Sequence, residues 1–312
     1  MTANRLETRS IEKVWGRHDL PRAFGAAVAD GEPVGEIWFE DPRGGDAELL
    51  VKYLLTSEKL SIQVHPGDEM ARARGHKRGK DEAWLIVAAE PGARIGLGLK
   101  RAVNKDKLRA AATDGSIEQL VDWREARVGD VYYSPAGTIH ALGPGLTLIE
   151  IQQNIDLTYR LYDYGRPREL HLDEAVEAAR PVRYVAPFIP YEHSPGREIL
   201  VDCAAFVLER WTVGAGGRLA ARAGRPVWMI PVSGGGVIDG ERLEAPTVWM
   251  VEDQSRIRID AGSEILFAYP GPGVRDELFV DTRVSASPHS FYERRHFVPA
   301  VRMEPAFFPG LD

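Results

Sequence analysis

Gln63, His65, Glu82 and His140 are the residues of this chain whose types and spacing could do chemistry together. Gln63 and His65 lie two apart in the stretch LSIQVHPGDE, residues 60–69. In an extended strand residues i and i+2 point to one face, so the two side chains can reach one small object, and Pro66 and Gly67 then end the strand. Glu82 opens the apolar run EAWLIV, and GDVYYSPAGTIH ends at His140. Within that last stretch Gly129, Pro135, Gly137 and His140 follow the spacing G-x5-P-x-G-x2-H, in which a strand, a turn and a second strand deliver one histidine inward. Two neutral imidazoles, a carboxylate and an amide oxygen form a hard-to-borderline donor set suited to Zn2+ or a similar divalent ion, one per chain. Such a set leaves coordination positions for water or substrate, the mark of a catalytic metal. The single cysteine, Cys203, excludes a cysteine-based zinc knuckle and an intramolecular disulfide, suits a reducing compartment, and reads as a small buried apolar residue.

These residues need strands to hold them. Residues 31–63 alternate apolar-rich runs (GEIWFE, AELLVKYLL, LSIQV) with Gly, Pro and Asp turns, and strand-like runs return at 83–89, 131–134 and 146–152. Helical spacing over 104–123, broken at Asp114 and Gly115, predicts two short helices inserted between strands, and HLDEAVEAAR at 171–180 predicts another. After about residue 196 the strand texture resumes through FVLERWTV, RPVWMIPVSGG, GGVIDGERLEA, PTVWMVED and SRIRIDAGSEILFAYP. Short strands with Gly-rich turns in both halves predict a sandwich or barrel built from two related β modules. Residues 197–285 contain no histidine, as a second module that keeps the fold without metal ligands would. The expected division is a metal-binding module over 1–190, a second module over 191–285 and a tail over 286–312 in which His289 and His296 form no recognisable site. GLGLK at 96–100 and SGGG at 233–236 lack the strand-to-helix setting of a nucleotide-binding loop and read as turns. No G-x-S-x-G nucleophile elbow is present.

A formal net charge of −7 over 312 residues argues against a general nucleic-acid or anionic-membrane binder. The first sixteen residues, MTANRLETRSIEKVWG, have neither the apolar core of a signal peptide nor a bilayer-length apolar run, so the expected location is the cytoplasm. The expected assembly is a monomer or a weak homodimer.

The blocks VWG at 14–16, VGEIWFE at 34–40, KLSIQVHPGDE at 59–69, GKDEAWLIV at 79–87, PAGTIHALGPGLTLIEIQQNIDLTYRLYDYGR at 135–166 and LHLDEAV at 170–176 cover most of residues 14–176. They resemble the cupin-fold type I mannose-6-phosphate isomerases, or phosphomannose isomerases, in particular their short bacterial form. The second half, VSGGGVIDGERLEAPTVWMV through ILFAYPG, is similar to the degenerate second module of that family. The resemblance implies a mainly β protein of two cupin-like β-barrel (jelly-roll) modules, the second degenerate, with a few short inserted helices. It implies the metal ligands Gln63, His65, Glu82 and His140, the set already reached from spacing, and substrate-pocket residues Lys80, Glu150, Asp156 and Arg160, with Trp15 walling the sugar site. Arg17 departs from the family, which has a second glycine after Trp-Gly, and this bears on the placement of Trp15.

The implied activity interconverts mannose 6-phosphate and fructose 6-phosphate, moving a proton between C1 and C2 through an enediol. That requires a general base, a route for the hydroxyl protons and stabilisation of the enediolate. Glu150, on the strand after His140, is the leading candidate for proton transfer, with Asp156 replacing it or holding a hydroxyl. The planar fork of Arg160 suits a phosphate or the enediolate charge, its plainer reading being an ion pair with Asp163; Lys80 could bind the phosphate or a sugar oxygen. The run RARGHKRGK at 72–80 is either a solvated face or a loop whose Arg74, Lys77 and Arg78 steer a phosphorylated sugar, with His76 a mobile loop residue. The alternatives are an isomerase for a related or unphosphorylated sugar, a sugar-phosphate-binding cupin without catalysis, and, more remotely, a metal-dependent dioxygenase of the same fold.

Overall fold

A computed structural model describes residues 3–21, 24, 31–220, 225–280 and 285–286. The first half contains strands β1 (Ala3–Arg5), β2 (Glu7–Arg17), β3 (Val34–Glu40), β4 (Leu49–Leu55) and β5 (Ile62–Val64), then helix α1 (Asp68–Ala73), β6 (Glu82–Ala89) and β7 (Arg94–Leu99). It continues with helices α2 (Lys105–Asp114) and α3 (Ile117–Leu120), strands β8 (Val121–Glu125), β9 (Val131–Ser134), β10 (His140–Leu142), β11 (Leu146–Gln153) and β12 (Tyr159–Tyr162), and helix α4 (Leu172–Ala178). One sheet has the order β2-β3-β4-β11-β6-β9 and a second β12-β5-β10-β7-β8, and each pairing is antiparallel.

The period-2 alternation decides what each face meets. On the first sheet Leu54, Trp84, Ile86 and Leu148 turn inward and pack on Ile95, Leu97 and Leu142 of the second, closing a barrel interior. The opposite face of the first sheet, with Val51, Tyr53, Leu85, Ile149 and Ile151, packs against Leu200, Phe206, Leu208, Trp228 and Leu266 of the second half. The outer face of the second sheet, Ile62, Val64, Ala141 and Leu161, is covered by Leu108, Ala112, Ile117 and Val176 from the helices. Asn104 caps α2 by accepting from the Lys107 amide at 2.8 Å, and Gly115 ends it in the left-handed region at φ +81°.

In the second half a seven-stranded sheet runs β1, Trp249–Val251, Val227–Ser233, Glu264–Pro270, Phe206–Trp211, Arg197–Asp202 and Tyr191–Ser194. Its companion sheet is built from Glu241–Glu244, Gly235–Ile238, Gln254–Ile259, Val213–Ala220 and Phe279–Val280, with Ser285–Ala286 pairing beside it. Beside its apolar core lies the buried Glu209, which accepts from both Arg197 Nε at 2.7 Å and Arg197 Nη2 at 2.8 Å, and from Trp211 Nε1 at 2.9 Å. The mainly β architecture with two barrels matches the expectation from sequence. Among the described residues no helix is long and apolar enough to cross a membrane. The tail beyond Ala286, including His289 and His296, lies outside the described residues.

Three readings of the sequence are corrected. GLGLK is not a turn but most of β7, where glycine serves close packing. A Cβ on Gly96 would stand 2.5 Å from Val121 Cγ1, and Gly98, at φ +70°, would stand 2.5 Å from the Tyr184 amide. In SGGG only Gly234, at φ +68°, makes the turn, because Gly235 and Gly236 already belong to the next strand. The helical spacing read through 123 stops at Leu120; Val121–Glu125 is β8, which finds a hydrogen-bonding edge on β7. The N-terminal strand β1, pairing Ala3 with Val251, and helix α1 had no clear signal.

Candidate metal centre

Arg160 on β12, Gln63 on β5, His140 on β10 and Leu97 on β7 lie in direct register across the second sheet. Residues opposite one another share a face. Leu97 belongs to the barrel interior, so the whole row looks inward. His65 follows β5, two positions beyond Gln63, and Glu82 enters from the first sheet at the start of β6.

The donors converge. His140 Nε2 lies 3.1 Å and His65 Nε2 3.3 Å from Glu82 Oε1, and all three residues are buried. A four-coordinate ion with bonds of about 2.1 Å separates its ligand atoms by roughly 3.4 Å, so these spacings fit. Each imidazole is held by a backbone carbonyl: His65 Nδ1 donates to Leu157 O and His140 Nδ1 to Thr138 O, both at 2.9 Å. A carbonyl only accepts, so Nδ1 carries a proton in each ring, and the neutral tautomer with that proton presents an Nε2 lone pair to the Glu82 carboxylate. Lone pair then faces lone pair, an arrangement that a cation among the three atoms converts from repulsive to attractive. The Gln63 amide lies beside these donors, its nitrogen 3.2 Å from His140 Nε2. Rotating it presents its oxygen, while Ser61 Oγ, 3.0 Å from Gln63 Oε1, serves either end because a hydroxyl both donates and accepts.

Lys80 supplies the positive charge beside this cluster. Its Nζ lies 3.2 Å from Glu82 Oε2 and 3.2 Å from His65 Nε2. Glu82 Oε2 is buried and accepts no well-directed hydrogen bond, so it keeps lone pairs for another partner. Burial by itself would raise the Glu82 pKa, but Lys80, His65 and His140 outweigh it and hold the carboxyl well below its usual range. Burial would lower Lys80, yet Glu82, Glu150 and Glu36 keep it raised, so the ammonium persists. Burial and then Lys80 push His65 down to about 4, which leaves its ring neutral at pH 7.

Glu150 lies inside the barrel as expected, in a row where Trp38, Lys52, Glu150 and Trp84 are direct cross-strand neighbours. Burial and the Glu82 charge push its carboxyl up, against the pull of Lys52 and Lys80. Lys52 Nζ stands 3.8 Å from Glu150 Oε1, 3.5 Å from Glu36 Oε2 and 4.4 Å from the Trp38 ring centroid. Glu36 also accepts from Trp38 Nε1 at 2.6 Å. The sequence reading missed Glu36 and Lys52, although a lysine inside LLVKYLL and a glutamate inside VGEIWFE were visible as charges in otherwise apolar strands.

Arg160 is half-buried beside Gln63, and burial lowers its pKa from the usual guanidinium value. The plainer ion pair does not form: Asp163 is taken by Arg168 at 2.6 Å and Arg166 at 3.2 Å. Trp15 is buried in the interior wall with Trp84, whose ring centroid is 5.3 Å from that of His140. Arg17 turns away to Asp19 and Glu90. Asp156 is exposed on the loop after β11, where it acts on Arg160 only through its charge. The basic loop is locally compensated: Arg72 pairs with Asp68, Arg74 with Glu177, and Lys77 and Arg78 with Asp46, at 2.6–3.0 Å.

The chain matches no family model. It is 33% identical over 234 residues to the mannose-6-phosphate isomerase ManA of Bacillus subtilis, covering 68% of this chain and 72% of that protein. It is 28% identical over 251 residues to the mannose-6-phosphate isomerase of Streptococcus mutans, covering 67% and 78%. Among solved structures, the mannose 6-phosphate isomerase from Bacillus subtilis superposes with a TM-score of 0.73 at 27% identity, over 86% of this chain and 99% of that one. A phosphomannose isomerase from Salmonella typhimurium, at 14% identity and TM-score 0.66 over 86% and 100%, shares the fold. With this extent of likeness laid over an inward-facing His65, Glu82 and His140 cluster, the chain belongs to the type I mannose-6-phosphate isomerase family.

Proposed function

We propose that the protein is an aldose–ketose isomerase that interconverts mannose 6-phosphate and fructose 6-phosphate through an enediol and uses one Zn2+ per chain. The observation that carries this reading is the convergence of two imidazole Nε2 atoms and Glu82 Oε1, beside the buried Glu150 and Lys80, in a chain of the isomerase family. Gln63, His65, Glu82 and His140 would hold the ion, which when bound would polarise the sugar oxygens and lower the energy of charge developing on them. Glu150 moves the proton between C1 and C2; its raised carboxyl pKa suits a group that must both take and return a proton. Lys80 donates hydrogen bonds to the C1 and C2 oxygens from its place between Glu82 and His65. Arg160, on the interior row and unclaimed by Asp163, receives the phosphate with its planar fork. Trp84 and Trp15 belong to the apolar wall that keeps water from the enediol.

A coupled assay of mannose 6-phosphate conversion tests this, on purified protein before and after chelation, with Zn2+ returned and His140→Ala as control. The expected result is turnover that chelation abolishes, Zn2+ restores and the variant lacks. Stoichiometric metal without turnover on either sugar phosphate would contradict it.

A further inference from the structure

The three segments that bring the donors together are stitched by a closed set of hydrogen bonds outside the cluster. Two adjacent amides of the turn before His140 go to two different segments: Gly137 N donates to His65 O at 2.8 Å, and Ala136 N to Asp81 Oδ1 at 2.7 Å. The other oxygen, Asp81 Oδ2, accepts from the Tyr133 hydroxyl at 2.8 Å. Asp81 N donates to Gln153 Oε1 at 2.9 Å, whose amide nitrogen donates to Asp68 Oδ1 at 3.0 Å, which also accepts from Gly79 N at 2.8 Å. Lys80 N closes the ring on Pro66 O at 3.0 Å.

From this geometry we infer that Asp81 is a positioning residue for the metal centre: its carboxylate fixes the turn that aims His140 relative to Glu82. The lever is short. The turn at 135–138 carries Thr138 O, which holds His140 Nδ1, so a shift of the turn redirects Nε2. Asp81 precedes Glu82 directly, and among the described residues it contributes the one side chain that joins the Glu82 segment to this turn. The carboxylate gives both donors a charged acceptor, whereas an asparagine keeps its oxygen on the Ala136 amide only by turning its NH2 to the Tyr133 hydroxyl, which must then accept instead of donate, and both contacts lose the charge. The inference rests on the metal reading of His65, Glu82 and His140, and partners of this kind typically change metal affinity 10- to 100-fold.

The test measures the Zn2+ dissociation constant by competition with a chromophoric chelator, together with Tm, for wild type, Asp81→Asn, Tyr133→Phe and Tyr269→Phe. Asp81→Asn is expected to weaken Zn2+ about 10- to 100-fold and to recover most of its kcat at saturating Zn2+. Tyr133→Phe removes one of the two carboxylate contacts and is expected to weaken Zn2+ less, in the same direction. Tyr269→Phe removes a buried hydroxyl from Glu209 in the other barrel and is expected to lower Tm without changing Zn2+ affinity. Wild-type affinity in Asp81→Asn overturns the inference; if that variant does not fold, wild-type affinity in Tyr133→Phe does so. A wild-type chain that binds no Zn2+ overturns the metal reading itself, and the inference with it.

Discussion

Glu150 and Lys52 face each other from β11 and β4 inside a barrel that also holds Glu36, Lys80 and Glu82, so the Glu150 carboxyl answers to several charges at once. Removing the Glu150 carboxylate while keeping its shape isolates proton transfer from metal binding. Glu150→Gln is expected to lower kcat by about 10²- to 10⁴-fold, with metal content unchanged by elemental analysis. Glu36 offers a separate, thermodynamic prediction. Burial opposes its ionisation, but Lys52, Lys13 and the Trp38 indole outweigh it and hold the pKa at about 2 against an ordinary value of 4.5. A depressed carboxylate contributes stability above its unfolded pKa and loses it as pH falls through the folded value. The contribution is therefore present above about pH 4.5 and disappears toward pH 2, amounting to no more than about 3 kcal/mol. Glu36→Gln is expected to flatten this part of the stability curve, measured by denaturant unfolding between pH 6 and the acid limit, about pH 2.

At the scale of the elements, the glycines of β7 connect sequence to packing most sharply. Gly98 has a positive φ and meets the Tyr184 backbone, so Gly98→Ala is expected to destabilise the protein by about 2 kcal/mol, read from the urea midpoint with the m-value unchanged. Those same glycines explain why GLGLK was misread: a Gly-rich run looks like a turn until Val121 and Tyr184 arrive from distant parts of the chain. β3, β4, β6 and β11 were legible because their apolar runs are long and bounded by turn residues. The break between α2 and α3 was legible because Gly115 is the residue that a left-handed cap favours. The inward convergence of Gln63, His65, Glu82 and His140 could be anticipated because strand alternation and the P-x-G turn are local. The roles of Lys52, Glu36 and Asp81 were not, since each depends on register across strands far apart in sequence.

For the whole molecule, the two barrels share a core. Tyr53, Leu85, Ile149 and Ile151 have the side chains of Phe206, Leu208, Trp228 and Leu266 as their apolar cover, and β1 crosses over to pair with Trp249–Val251. Residues 1–190 alone would expose that sheet face, so this fragment is expected to aggregate or to elute as a multimer in size-exclusion chromatography, while the full chain does not. The second barrel thus supports the first, whose interior gathers the donors. The position of the metal decides the chemistry of the first barrel most directly. Anomalous diffraction at the zinc edge from crystals of the active, zinc-loaded protein should place one strong peak about 2.0–2.2 Å from His65 Nε2, His140 Nε2 and a Glu82 carboxylate oxygen. A peak elsewhere, or none at these three residues in protein that turns over mannose 6-phosphate, would contradict it.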